Sequence, residues 1–176
     1  MKNFIMAILF IIFAHQKSYS TNVLPILPTK PAATATIFVT AAVPIACTVT
    51  ATSIAFTQYL YSSPTKNTQN STLVVTCTNK TPIHIELSAG TGVISGTAAT
   101  TTTRSMTSVI GSNSLPYKLC QDANCTKNWG MQDTVDTLDK TATGLPETYT
   151  VYGVIDPGIN AAGGVYADTI NVIVSY

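Results

Sequence analysis

Apolar and polar residues alternate with a period of two along most of this chain, and turn residues interrupt the alternation about every ten positions. Ile37, Val39, Ala41 and Val43 alternate with Thr36, Phe38, Thr40 and Ala42, which predicts a strand over 34–43 that Pro44 interrupts. Further strands are expected over 45–50, 54–61, 72–78 and 83–88, the last ending at a Gly90/Gly92 turn. Residues 97–103 are nearly all Ala and Thr and read as an exposed strand or loop. Short strands follow over 115–120 and 128–131, then 149–155 before the turn Asp156-Pro157-Gly158, and finally 166–176. In that last stretch Ile170, Val172, Val174 and Tyr176 share one apolar face. No segment shows helical periodicity, so the expected class is all-β, a sandwich or barrel.

The N-terminus departs from this rhythm. Lys2 precedes an unbroken apolar run over 4–14, and small residues stand at Ser18 and Ser20. That order is the order of a secretory signal peptide, 1–20, cleaved after Ser20. The run is shorter than the roughly 20 apolar residues a spanning helix needs. Residues 21–32 hold Pro25, Pro28 and Pro31 and read as an extended leader. The remainder, 33–176, has the length of one domain with its own core.

Charge narrows the class of partner. Two of the nine Lys and Arg residues, Lys2 and Lys17, lie in the signal, so seven remain against eight acidic ones. A near-neutral chain has no electrostatic footprint for nucleic acid or an anionic membrane. Four cysteines, Cys47, Cys77, Cys120 and Cys125, in an exported chain read first as disulfides. Three pairings are open, and Cys47–Cys77 with Cys120–Cys125 is favoured because the second pair closes a tight local loop. Zinc needs thiolates or imidazoles at close paired spacing, and His84 is the only histidine after the signal.

No catalytic constellation emerges. His84 sits between Ile83 and Ile85 and is expected to face solvent. Ser95 lies between Gly92 and Gly96 at the wrong spacing for a nucleophile elbow. Asp133, Asp136 and Asp139 lack the alternating oxygen ligands of a calcium loop. Glu86 has no second carboxylate for glycoside chemistry. The expectation is a protein that is not an enzyme, with no cofactor and no metal.

Several motifs follow one another in a familiar order. Cys47 and Val49 come first, then Phe56 and Tyr59, Cys77, a stretch from Ile85 to Gly90, and Arg104 with Met106. Leu115, Tyr117 and Leu119, Trp129-Gly130, and Val151-Tyr152-Gly153 come next. A G-x-Y-x-D-T-I run from Gly164 through Tyr166 and Asp168 to Ile170 precedes the closing Val172, Val174 and Tyr176. This order resembles the spore coat protein U domain family, whose best understood members look like subunits of archaic chaperone–usher pili. The resemblance covers about residue 33 to the end. Thr57 stands where a glycine is usual, and the Cys120/Cys125 pair is an addition.

The resemblance implies an incomplete immunoglobulin-like β-sandwich of the pilin type, lacking its last strand and completed by donor-strand exchange. It implies a structural subunit of an extracellular fimbria, supporting adhesion or biofilm formation. The partners would be a periplasmic chaperone, an outer-membrane usher, and copies of itself or related subunits, with no nucleic acid. The donor strand would be 33–43, through Ile37, Val39, Ala41 and Val43. The acceptor groove would be lined by Ile170, Val172, Val174 and Tyr176. The period-two pattern points the same way: it gives one surplus strand behind a leader and one apolar terminal strand with an uncovered edge. An antibody-type domain would place its Trp between the sheet-bridging cysteines, and Trp129 follows both Cys47 and Cys77. The alternatives are a secreted spore-coat or surface protein that polymerises without an usher, and a carbohydrate-binding adhesive module.

Overall fold

The computed structural model describes residues 30–94 and 96–176; the expected signal peptide and nearly all of the leader lie outside them. Every regular element among the described residues is a β-strand. In chain order they are β1 (Cys47–Ala51), β2 (Asn67–Cys77), β3 (Pro82–Leu87), β4 (Val93–Ile94), β5 (Thr97–Ala98) and β6 (Ser105–Ser108). Then come β7 (Ser114–Pro116), β8 (Lys118–Cys120), β9 (Leu138–Thr141), β10 (Glu147–Ile155), β11 (Tyr166–Ala167) and β12 (Val172–Ser175).

One sheet has the order β1-β2-β10-β8, and a second has β12-β3-β9. A third, β11-β6-β7, is continuous in chain with both, because β7 leads into β8 through Tyr117 and β11 leads into β12. β4 and β5 form a small hairpin. Every ladder is antiparallel.

Alternation explains why these segments face as they do. On β2, Ser71, Leu73, Val75 and Cys77 are buried while their neighbours are not. On β3, Ile83, Ile85 and Leu87 turn inward, and Pro82, His84 and Glu86 turn out. These side chains meet Leu119, Val151, Ile155 and Trp129 in one apolar core. Burying each large one fully contributes roughly 1.5–3 kcal/mol. Cys47 lies directly opposite Cys77, and the two are bridged; a second bridge joins Cys120 and Cys125.

The differences from the sequence expectation have local causes. Residues 30–46 join no strand: the expected strand over 34–43 finds no ladder partner, and alternation alone does not make one. No strand forms over 54–61. The β1–β2 ladder stops at Thr52, where the Thr52 hydroxyl accepts the Thr72 amide at 2.9 Å and the Ser71 hydroxyl bonds the Thr52 carbonyl. These side-chain bonds flank the last main-chain bond, from the Thr52 amide to Thr72 O at 3.0 Å, and beyond it Ile54 and Phe56 pack inward without pairing. The expected strand over 128–131 reduces to a single bridge between Asn128 and Cys120, because the Trp129 amide donates to Leu119 O and its indole turns into the core. The expected strand over 166–176 is two strands in two sheets, with the chain turned at Asp168. β2 begins five residues earlier than expected, at Asn67.

Candidate acceptor groove

The two chain-terminal strands leave a gap. β1 pairs only with β2, and β12 pairs only with β3, so each has an outer edge with no strand on it among the described residues. Between them opens a cleft of about 500 Å³. Ala51, Ile54 and Phe56 line it from the β1 side, and Asp168, Ile170 and Val172 from the β12 side. Leu73, Val151, Leu119, Leu87, Met106 and Tyr117 line it from the core. The Phe56 and Tyr117 rings meet edge to face across it, 6.3 Å between centroids. Gly153 makes room here, since a Cβ at that position would lie 2.9 Å from the Phe56 ring.

The closing motif holds one rim of this cleft. Asp168 accepts the Thr91 amide at 2.7 Å, the Thr91 hydroxyl at 3.0 Å, the Tyr117 hydroxyl at 2.7 Å and the Thr169 amide at 2.7 Å. Gly90, at φ +86°, lies so close that a Cβ there would run into the Asp168 carboxylate. Burial first, and the bond to Asp168 second, push the Tyr117 hydroxyl well above the ordinary phenol range. The tyrosine therefore stays a donor and the carboxylate its acceptor. The Tyr166 hydroxyl donates to Ala162 O at 2.6 Å.

Behind the cleft, Arg104 is almost completely buried. Its guanidinium donates to the carbonyls of Leu87, Ser88, Thr101 and Trp129 at 2.7–2.8 Å. Burial draws it below its usual value, against the fields of Tyr117, Asp136 and Asp168. Trp129 is wholly buried, and its indole N–H donates to Ile85 O at 2.8 Å. The single Trp of the chain is thus a core residue and offers no stacking face to a sugar.

The sequence-predicted groove residues are placed unequally. Ile170 and Val172 line the cleft, Val174 packs against the core, and Tyr176 is 62% exposed at the end of the chain. Of the donor candidates, Ile37, Val39 and Val43 are 85%, 87% and 78% exposed, and Ala41 is exposed as well. The wall formed by Ile54, Phe56, Met106, Tyr117 and Leu119 was not anticipated as groove. Its signal was the inward alternation of Ile54 and Phe56 past the end of β1.

Elsewhere, His84 is half-buried on the outer face of β3. Its Nδ1 lies 3.0 Å from Asp139 and 3.3 Å from Asp133. The Asp139 bond, then the Asp133, Asp139 and Glu86 charges, raise its pKa above 6.5 against a smaller effect of burial. Asp139 is held below the usual carboxylate range, by the Thr137 hydroxyl first and His84 second. Of the three aspartates spaced by three, Asp136 turns inward and accepts from Asn128 Nδ2 and the Gln132 amide.

The spore coat protein U domain matches residues 33–173. A search of the curated proteins found no match. Among solved structures, the chain is similar to a chain of the CsuC–CsuE chaperone–tip adhesion subunit pre-assembly complex from archaic chaperone–usher Csu pili of Acinetobacter baumannii. Sequence identity is 18% and the TM-score 0.54; the match covers 76% of this chain and 40% of that one. The likeness shows the fold expected from the sequence: an all-β, immunoglobulin-like sandwich of the pilin type.

Proposed function

The chain belongs to the spore coat protein U domain family, and we propose that it is a structural subunit of a surface fimbria assembled by a chaperone–usher pathway. In this reading residues 1–20 direct export to the periplasm, 21–32 are a leader, and 33–43 are a donor strand. The strand of one copy fills the groove of the next, where a periplasmic chaperone sits before the outer-membrane usher exchanges it. The fibre then serves adhesion or biofilm formation at the cell surface. The role is structural rather than catalytic.

The observation that carries this reading is the cleft between the free edges of β1 and β12. An open strand edge beside an apolar cleft recognises an extended segment through main-chain bonds and alternate side chains. The bare Ile37, Val39, Ala41 and Val43 supply such a segment. Burial of the three large ones would contribute on the order of 5–9 kcal/mol. The ladder bonds add to it, since edge groups in the groove would otherwise stay unpaired.

The test removes the donor and returns it in trans. A chain lacking 21–43 is expected to bind a peptide spanning 33–43 and to melt at higher temperature with it. A peptide carrying Val39→Asp is expected to give no such gain. A truncated chain that ignores the unmodified peptide would overturn the reading.

A further inference from the structure

The strand registers sort the loops into two ends of the sandwich. Cys47 lies opposite Cys77 at one end of the first sheet, and Ile155 opposite Asn67 at the other. The turn 78–81 and segment 142–146 share the Cys47 end, joined through the Lys80 amide to Ala142 O and the Ala142 amide to Thr81 O. β12 finishes there too, with Ser175 opposite His84. Three loops share the Asn67 end: 57–66, 109–113 and 156–165. The Ile159 amide donates to the Tyr59 hydroxyl at 2.7 Å, Lys118 pairs with Asp156, and the Val109 amide donates to Val165 O at 2.9 Å.

The Asn67 end exposes large apolar side chains beside its polar ones. Leu60, Tyr61, Val109, Ile110 and Val165 are each more than half exposed, and Ile110 is 83% exposed. Single exposed apolar residues are ordinary, but five on three adjoining loops make a patch. The Cys47 end carries three exposed large apolar residues of its own, Ile45, Leu145 and Tyr176.

Chain length says what covers the patch. Pro44 O accepts the Thr78 hydroxyl, and Ala46 exchanges bonds with Thr78 through both its amide and its carbonyl. The domain is therefore anchored from Pro44 onward, one residue past Val43. If 44–46 came free, the four steps from Val43 to Cys47 would still reach only about 14 Å. A copy whose 37–43 segment fills a neighbour's groove must lie against that neighbour. Direction decides which surfaces meet. Every ladder in the domain is antiparallel, and antiparallel pairing to β12 continues that pattern. It sets Ile37 beside the Ser175 end of β12 and Val43 at the Asn67 end.

Resting on the donor-strand reading, we infer that the apolar patch at the Asn67 end is a docking surface for the Cys47 end of the next copy of this chain. Ile110 and Val165 meet Leu145 and Ile45 there. The contact is heterologous and head-to-tail, so it propagates as an open fibre.

Oligomers of the full chain test this, with Ile110→Asp/Val165→Asp as the variant and Ile110→Ser/Val165→Ser as a milder second. Neither pair lies in the groove, so the variant monomers are expected to bind the 33–43 peptide as the unmodified chain does. Their oligomers are expected to dissociate about tenfold faster. A chain carrying Ile110→Cys and Leu145→Cys is expected to become cross-linked between copies within oligomers. Unchanged dissociation in both variants, with no cross-link and peptide binding intact, would overturn the docking surface alone. An unmodified chain that binds no peptide would overturn the donor-strand reading and this inference with it.

Discussion

The middle of the β12-β3-β9 sheet and the edge between β1 and β12 belong to one sandwich but are built to opposite standards. β3 is paired on both sides, Ile85 is fully buried, and Trp129 and Arg104 plug the space above it with all their polar groups bonded. At the edge, Ile170 and Val172 are only half-buried, and both strands keep an unpaired side. The closed region is packed and bonded within the domain itself. The open region leaves apolar surface and ladder groups uncovered among the described residues.

The comparison can be broken most forcefully at Arg104. Replacing it with Met keeps volume but strands four carbonyls, of which those of Leu87 and Trp129 are buried and cost roughly 1–3 kcal/mol each. The domain is expected to lose about 4 kcal/mol or more, read from chemical denaturation. A loss under 1 kcal/mol would mean that the closed region does not carry the stability. Cys47→Ala/Cys77→Ala comes next. Opening a loop with sequence separation 30 should cost roughly 3–4 kcal/mol in the chain-entropy model, and the bridge also fastens groove strand β1 to β2. Loss of Cys120–Cys125, with separation 5, should cost less and leave peptide binding unchanged.

Groove substitutions should separate the two regions. Ile170→Ala is expected to cost the free domain about 1–2 kcal/mol, less than a fully buried isoleucine, yet to weaken the 33–43 peptide measurably in titration calorimetry. Equal effects on stability with no effect on the peptide would place Ile170 in the core instead. The smallest effect belongs to His84. Its folded pKa lies above 6.5, so its contribution is complete below pH 6.5 and disappears as pH rises through the folded value. An NMR titration should place the midpoint above 6.5, and Asp139→Asn should bring it back down.

Legibility in the sequence followed alternation. β3 and β10 are long runs with buried partners on both sides, and their period-two pattern marked them within two residues. β9, LDKT, has one apolar residue and no pattern to read, so it was missed. The break at Asp168 was hidden because Tyr166, Ile170 and Val172 continue the same parity through a change of sheet. The β12 side of the cleft could be read from Ile170 and Val172. The opposite wall could not, because Met106, Tyr117 and Leu119 reach it from strands that look like ordinary core.

Amide hydrogen exchange along β1 and β12, with and without the 33–43 peptide on the chain lacking 21–43, tests the central claim most directly. The free domain is expected to exchange fast at the outward amides of 47–52 and 170–176 and slowly across β3 and β10. The peptide is expected to slow the 170–176 amides strongly and leave β3 and β10 as they were. Outward amides over 170–176 already protected without peptide, or unchanged when it is bound, would contradict the account.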